Sequence, residues 1–286
     1  MARAAVPREN GPPGAPGLLL ACEPRLPVYA VAMKLASWNI NSVRARLERA
    51  VAWVKANEPD VLCLQETKVE DKDFPNQVFE DLGYRVEHYG QRTYNGVALL
   101  SRLPLTEVSR GFGDDDPSAR FIVAKVAGVR VASVYVPNGQ SVGSEKFAYK
   151  LGWLKRLRQW LDQHAVPAEP LALCGDYNIA PEDRDVHDPE AWEGQVLCHP
   201  DERAALAEVK AWGVQDVFRQ QHPEAGLYSW WDYRMLGFPK NRGLRIDYML
   251  CTAPLMPLCK DIRIDREARK GKLPSDHAPV VAQFAV

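Results

Sequence analysis

Two periods of apolar residues take turns along most of this chain. Lys34–Trp38 reads as a strand, and Val61–Gln65 as a buried one. Between them Arg44–Asn57 has helical spacing, with Leu47, Val51 and Val54 on one face, and Pro59 stops it. Tyr84–His88 and Gly96–Ser101 read as paired strands, and Phe121–Val126 with Val129–Tyr135 as a hairpin around Gly128. Ser144 stands where an N-cap is needed for the longest helix, which reaches His164 with Phe147, Leu151, Leu154 and Leu161 on its inner face. Leu171–Cys174 is a further buried strand, and Asp201–Trp212 a helix closed by Gly213. Arg245–Leu250 and Pro279–Val286 are the last strands. Many strands with few long helices, no internal repeat and no linker within 34–286 predict one layered α/β domain.

Residues 1–33 break this pattern. They hold six prolines and three glycines without a period, which predicts a flexible N-terminal extension ahead of a domain at 34–286. Leu18–Cys22 faintly resembles a lipoprotein cleavage box, but its apolar core is too short and follows Pro and Gly.

Composition adds exclusions. Of 286 residues 46% are hydrophobic and 26% charged, which excludes a disordered, collagen-like or coiled-coil chain. No apolar run approaches the ~20 residues of a membrane-spanning helix, so no membrane partner is expected. With 36 basic and 37 acidic residues the net charge is -1, so contact with nucleic acid needs local basic patches. The six cysteines include no C-x-x-C pair, which argues against structural zinc and a disulfide framework and for a reducing, cytoplasmic setting. The absence of a heptad or zipper pattern points to a monomer.

The chemistry lies where apolar strands end: S-W-N-I-N at 37–41, L-Q-E-T-K at 64–68, Y-V-P-N-G at 135–139, G-D-Y-N at 175–178, R-I-D-Y at 245–248 and S-D-H-A-P at 275–279. These supply the carboxylates Glu66, Asp176, Asp247 and Asp276, the amides Asn39 and Asn178, and the imidazole His277. Oxygen ligands without thiolates select a hard cation, Mg²⁺ or Mn²⁺, and such sites most often serve phosphate chemistry. No phosphate-binding G-x-x-x-x-G-K-[ST] loop and no G-x-S-x-G elbow is present, so neither nucleotide triphosphate hydrolysis nor a serine hydrolase is supported. Each residue alone has a plainer use. Glu66 can pair with Lys68, Asp176 can close an Asx-turn, Asp247 can join Arg245 in a surface ion pair, Asn39 can cap the 44–57 helix, and His277 can be structural. Their order and spacing together outweigh those uses.

With these strings, and with W-E-G-Q-V-L, Y-S-W-W-D-Y-R and N-R-G-L-R-I-D-Y, residues 34–286 resemble the bacterial exonuclease III-type apurinic/apyrimidinic (AP) endonucleases. Their wider superfamily of endonucleases, exonucleases and phosphatases includes DNase I-like nucleases. The resemblance implies a four-layered α/β sandwich, two packed mixed sheets flanked by helices. It implies Glu66 as principal Mg²⁺ ligand, with Mn²⁺ able to substitute, and Asn39 and Asp276 near the metal. Asp176 would move a proton at the attacking water or the leaving oxygen. Asn178 would bind the phosphate or orient the water, Asp247 would orient His277, and His277 and Tyr135 would contact the phosphate. Asn138 would line the site, while Trp230 and Leu244 would form the pocket for the damaged residue, with Trp231 left to the core. Arg44 and Lys68, the basic group Arg234, Lys240, Arg242 and Arg245, and a second group from Lys260 to Lys272, would contact DNA phosphates.

The implied activity is Mg²⁺-dependent cleavage of duplex DNA 5′ to an abasic site, leaving a 3′-hydroxyl. Removal of 3′ blocking groups and 3′→5′ exonuclease action would use the same site. Two departures matter: Asn41 stands where some relatives carry Asp, which weakens any second metal position, and Asn138 stands where others carry Gln. The rival functions are a superfamily phosphatase acting on a small phosphoester and a non-catalytic nucleic-acid-binding relative.

Overall fold

The computed structural model describes residues 1–2 and 32–286, so the predicted extension lies almost wholly outside the described residues. The strands are β1 Ala32–Asn39, β2 Val61–Gln65, β3 Arg85–Tyr89, β4 Val97–Ser101, β5 Thr106–Arg110 and β6 Phe121–Val126. They continue with β7 Val129–Tyr135, β8 Leu171–Asp176, β9 Val214–Asp216, β10 Asp247–Thr252, β11 Cys259–Ile264 and β12 Val280–Ala285. The helices are α1 Leu47–Asn57, α2 Asn76–Glu80, α3 Glu145–His164, α4 Pro189–Trp192, α5 Pro200–Ala211 and α6 Val217–Gln221. No helix among the described residues is long and apolar enough to cross a membrane.

The strands form two six-stranded mixed sheets, ordered β11-β12-β1-β2-β4-β3 and β5-β6-β7-β8-β10-β9. Each has one parallel pair at its centre, β1 with β2 through α1 and β7 with β8 through α3. The other pairings are antiparallel. The expected four layers follow from side-chain alternation. Leu35, Cys63, Leu99, Val131, Cys174 and Met249 fill the space between the sheets. Their neighbours Trp38, Leu62 and Leu64 pack outward on Ala50, Trp53 and Val54 of α1. On the second sheet Phe121, Val134 and Leu173 pack outward on Trp153, Leu157 and Leu161 of α3 and on Leu206 and Val209 of α5.

The differences from the periodicity are local. β1 starts at Ala32, paired with Ala285, two residues ahead of the expected domain boundary. Helix α1 buries Ala50, Trp53 and Val54, so its inner face is turned from the expected Leu47–Val51 line toward the larger tryptophan. Helix α3 buries Phe147, Lys150, Leu154, Leu157 and Leu161, while Leu151 is only half-buried. Strands β5, β9 and β11 escape the periodicity. They are short or have exposed edges rich in charge, so no alternating apolar face marks them.

The inner face changes character toward one end. Continuing the same parity, Leu35 is followed by Ser37 and Asn39, Cys63 by Gln65, Val131 by Ser133 and Tyr135, and Cys174 by Asp176, with Asp247 at the start of β10. Register places Asn39 beside Gln65, and Tyr135 and Asp247 on either side of Asp176. A buried aliphatic side chain contributes about 1.5–3 kcal/mol, whereas a buried polar group costs about as much unless it is paired. Seven polar side chains at the mouth of an apolar gap therefore mark a site. Gln65 Nε2 donates to Ser37 Oγ at 3.2 Å and Ser133 Oγ at 2.9 Å, joining the sheets beneath it.

Gly175, next to Asp176, allows β7 and β8 to meet: a Cβ there would lie 1.8 Å from the Val134 carbonyl oxygen. Gly175→Ala should destabilise the fold by about 1–3 kcal/mol or more, because backbone must move. Denaturant unfolding measures this, and wild-type stability would show that the strands can part at no cost.

Candidate active site

Asp176 ends β8, fully buried between the sheets. Its Oδ1 accepts from the Asn178 backbone N–H at 2.8 Å, and its Oδ2 from Asn39 Nδ2 at 2.9 Å and Asn178 Nδ2 at 3.1 Å. The same Asn39 amide donates to Glu66 Oε1 at 2.8 Å, so one side chain bridges two carboxylates carried by opposite sheets. Asn39 is thus the last residue of β1, not a helix cap.

His277 stands across from Asp176, its Nε2 3.7 Å from Asp176 Oδ2. Its Nδ1 lies 2.9 Å from Asp247 Oδ2. Asp247 is held in turn by Ser229 Oγ, which donates at 2.6 Å and accepts from the Ile246 and Asp247 backbone N–H groups. Ser275 Oγ donates to the Asn39 carbonyl at 2.7 Å and accepts from His277 N at 3.2 Å, tying the His277 loop to β1. The alternative surface pair of Arg245 with Asp247 is not formed. Arg245 is fully buried against Asp185 at 2.6 Å and Asp216 at 2.8 Å, which leaves Asp247 to the imidazole and removes Arg245 from the residues expected to contact DNA phosphates.

Burial is the largest influence on Asp176 and pushes its carboxyl up to about 7; the His277 charge works against it, and Asp247 and Glu66 add to it. For His277 burial disfavours the cation, but Asp247 and then Asp176 outweigh it and push the imidazole up to about 10. Burial, then the Glu66 charge, holds the Tyr135 hydroxyl well above the ordinary phenol range, and Arg120 lies over its ring at 4.6 Å. At neutral pH the site therefore holds a charged imidazole, a protonated phenol and a carboxyl whose burial makes it readier to take a proton than an ordinary aspartate.

Glu66, Asp176 and His277 present N or O atoms within 4.8 Å of one another, and with His277 charged it is the two carboxylates of this group that could hold a metal ion. Its oxygen-rich donors suit a hard cation. Asp276 stands apart from that group. Its Oδ1 accepts from Asn41 Nδ2 at 2.8 Å and its Oδ2 from Trp230 Nε1 at 3.1 Å. Burial would raise this carboxyl, but His277 and the two hydrogen bonds hold it below the usual range. Lys68 Nζ lies 2.7 Å from both Glu66 Oε2 and Asn41 Oδ1, so the plain pairing of Glu66 with Lys68 is present within the site. Asn41, Glu66, Lys68 and Asn178 all have left-handed backbones, each costing about 1–3 kcal/mol, an arrangement that persists only where the surroundings enforce it.

Around this centre, Asn138 donates to Asn178 Oδ1 at 3.2 Å. Leu244 is buried and bridges to Trp230, which is half-buried and also bridges to His277. With Val186, Leu197, Val196 and Trp192 they form an apolar cluster beside the carboxylates. Trp231 is fully buried against Phe238, as expected of a core residue. Arg44 and Lys68 line a polar depression of about 520 Å³ with Lys72 and Arg92. Arg234, Lys240 and Arg242 are exposed on the loop after Trp231, with Arg234 paired to Asp232 at 2.6 Å. In the second basic group Arg269 is buried and stacked on Tyr233 and Phe238, so it fastens that loop and presents no free charge. Sequence reasoning passed over Ser229, Ser275 and Gln65, although all three lie inside the quoted motifs, and Arg120, which no motif marks.

The two packed, six-stranded mixed sheets and their flanking helices agree with the comparisons. The chain belongs to the endonuclease/exonuclease/phosphatase family, whose pattern matches residues 36–277. It is 38% identical over 266 residues to exodeoxyribonuclease III of Haemophilus influenzae, covering 88% of this chain and all of that one. Among solved structures it resembles an AP endonuclease from Archaeoglobus fulgidus at 41% identity and a TM-score of 0.86, covering 89% of this chain and 100% of that one. It also resembles the 3′ phosphatase NExo from Neisseria bound to a product DNA hairpin, at 41% identity and a TM-score of 0.85, covering 88% and 99%.

The electrostatics can be checked without a substrate. His277 titrates above its ordinary value, so its ion pair contributes stability that is full below the ordinary imidazole pKa and lost as pH rises through about 10. In Asp247→Asn the ring should lose its proton at a lower pH, and the alkaline loss of stability should move down with it. NMR of the His277 ring and thermal unfolding across pH read both effects, and an unmoved His277 titration would refute the pairing.

Proposed function

We propose that this protein is a divalent-metal-dependent DNA-repair nuclease. It hydrolyses the phosphodiester 5′ to an abasic site in duplex DNA to leave a 3′-hydroxyl, and removes 3′ blocking groups and terminal nucleotides at the same site. The observation that carries the proposal is His277, paired to Asp247, held 3.7 Å from the buried Asp176 carboxyl, with Glu66 tied to that carboxyl through Asn39. Phosphodiester hydrolysis places extra negative charge on the phosphoryl oxygens and the leaving oxygen, so a fixed cation facing a proton-transferring group is the required arrangement.

In this reading Asp176 takes the proton of the attacking water or gives one to the leaving oxygen. His277 donates to a phosphoryl oxygen, its orientation and charge held by Asp247, and Asn178 and Tyr135 present further donors. Mg²⁺ would be held by Glu66 with Asn39 close by, while Asp276 acts from farther out by anchoring Asn41 and Trp230. When bound, the ion neutralises phosphate charge. Trp230 and Leu244 form the apolar seat for a sugar without a base, which is cheap to turn out of the helix and small enough to enter. Arg44, Lys68, Lys72 and Arg92 on one side, and Arg234, Lys240 and Arg242 on the other, contact the flanking phosphates. All of these residues come from one chain, so a monomer suffices. The free thiols of Cys63, Cys174, Cys198, Cys251 and Cys259 suit a cytoplasmic setting.

A labelled duplex with one stable abasic analogue, incubated with Mg²⁺ or EDTA beside an undamaged duplex and a small phosphoester, tests this. Mg²⁺-dependent incision 5′ to the analogue is expected. Asp176→Asn and His277→Ala should each lower turnover by about 10²–10⁴ with DNA binding largely kept, and Glu66→Ala should weaken the metal dependence. Wild-type turnover in Asp176→Asn, or cleavage of the small phosphoester alone, would overturn the proposal.

A further inference from the structure

Lys150 occupies the inner stripe of α3, in line with Phe147, Leu154, Leu157 and Leu161, where the helical period calls for an apolar residue. It is fully buried, as is Glu202 on α5. Lys150 Nζ donates to Glu202 Oε1 at 2.6 Å, to the Asn178 carbonyl at 2.6 Å and to the Asn138 carbonyl at 3.1 Å, so all three ammonium donors are used. Glu202 Oε2 accepts from the His199 backbone N–H at 3.3 Å.

Stability alone does not account for this pair. Each buried ion costs several kcal/mol of desolvation, and apolar residues of similar volume often serve as well or better. What apolar residues could not do is hold two carbonyls from two different loops. Those carbonyls belong to Asn138, after β7, and Asn178, after β8. Asn178 has φ 52, a conformation that must be held, and with its carbonyl turned to Lys150 its N–H and side-chain amide both reach Asp176. Gly139, with φ +95, lies against the lysine stem: a Cβ there would come within 3.1 Å of Lys150 Cδ.

We propose that Lys150, neutralised by Glu202, is a positioning residue that clamps the loops after β7 and β8 together and so aims the side-chain amides of Asn138 and Asn178 at the reacting centre. The proposal rests on the hydrolytic function above for its kinetic consequence, but the clamp itself does not depend on the substrate. Misplacement of a positioned group by about 1 Å can cost about a hundredfold in rate.

The test uses the full chain with Lys150→Met and Glu202→Met combined, which removes both charges while filling the same space. Its melting temperature should stay near wild type. Turnover of the abasic-analogue duplex should fall about tenfold to a hundredfold with KM little changed. The side-chain amide resonances of Asn138 and Asn178, observed in ¹⁵N-asparagine-labelled protein, should shift. Lys150→Arg, which can reach the same carbonyls, should recover most of the turnover. If the methionine pair does not fold, the neutral Lys150→Gln with Glu202→Gln replaces it, its amide one bond too short to reach both loops. A folded double variant with wild-type turnover and unshifted resonances overturns the clamp. If the wild-type chain cuts no DNA, the nuclease function fails by itself, and the resonances still decide for or against the clamp.

Discussion

A carboxylate cut off from water must be compensated by its neighbours, and Asp176 is such a group. Its position at the mouth of the inter-sheet gap requires donors from several directions at once. Asn39 arrives from the opposite sheet, Asn178 from the loop that follows, and His277 from the segment before the last strand. Asn39 and His277, which come from the side of the opposite sheet, supply their contacts only where the two sheets end at the same level. The contact of Gln65 with Ser133 sets that level between the sheets, while the close approach of Gly175 to Val134 fixes β8 against β7. The demands of one buried charge thus propagate into the register and spacing of the whole sandwich.

The same demand accounts for the local strain. Four residues around the centre adopt left-handed backbones without being glycine, and all four direct polar groups inward or bind those that do. Such conformations persist only when rigid elements fix them from both sides. Here the fixed points are central parallel strands, buried on both faces, so the strain sits on loops one to three residues from the stiffest part of the fold.

Charge and apolar surface are also kept apart. Arg44, Lys68, Lys72 and Arg92 line one depression together with Glu70 and Asp73, Lys68 linking it to Glu66, whereas Trp230, Leu244 and Val196 form an apolar patch beside His277. Asp276 joins the two regions, accepting from Asn41 on one side and Trp230 on the other. One fold hosts many functions, which is why function has to be argued from the site as well as from the fold.

Short-range regularities carried much of this molecule. The alternation of apolar residues marked the central strands, the helical spacing marked α1, α3 and α5, and the polar strings at strand ends marked Asn39, Glu66, Asp176, Asp247 and His277, because each of those signals is local and repeats with the geometry of its element. Pairing across the fold was not written in any local pattern. The choice of Arg245 for Asp185 and Asp216 over its neighbour Asp247, the turn of Asp276 toward Trp230, and the burial of Lys150 within an apolar stripe were decided by tertiary structure. The reason is physical: a long charged side chain reaches several ångströms from its backbone and settles against whatever partner relieves its desolvation. That partner is fixed only when segments tens to hundreds of residues apart have been brought together.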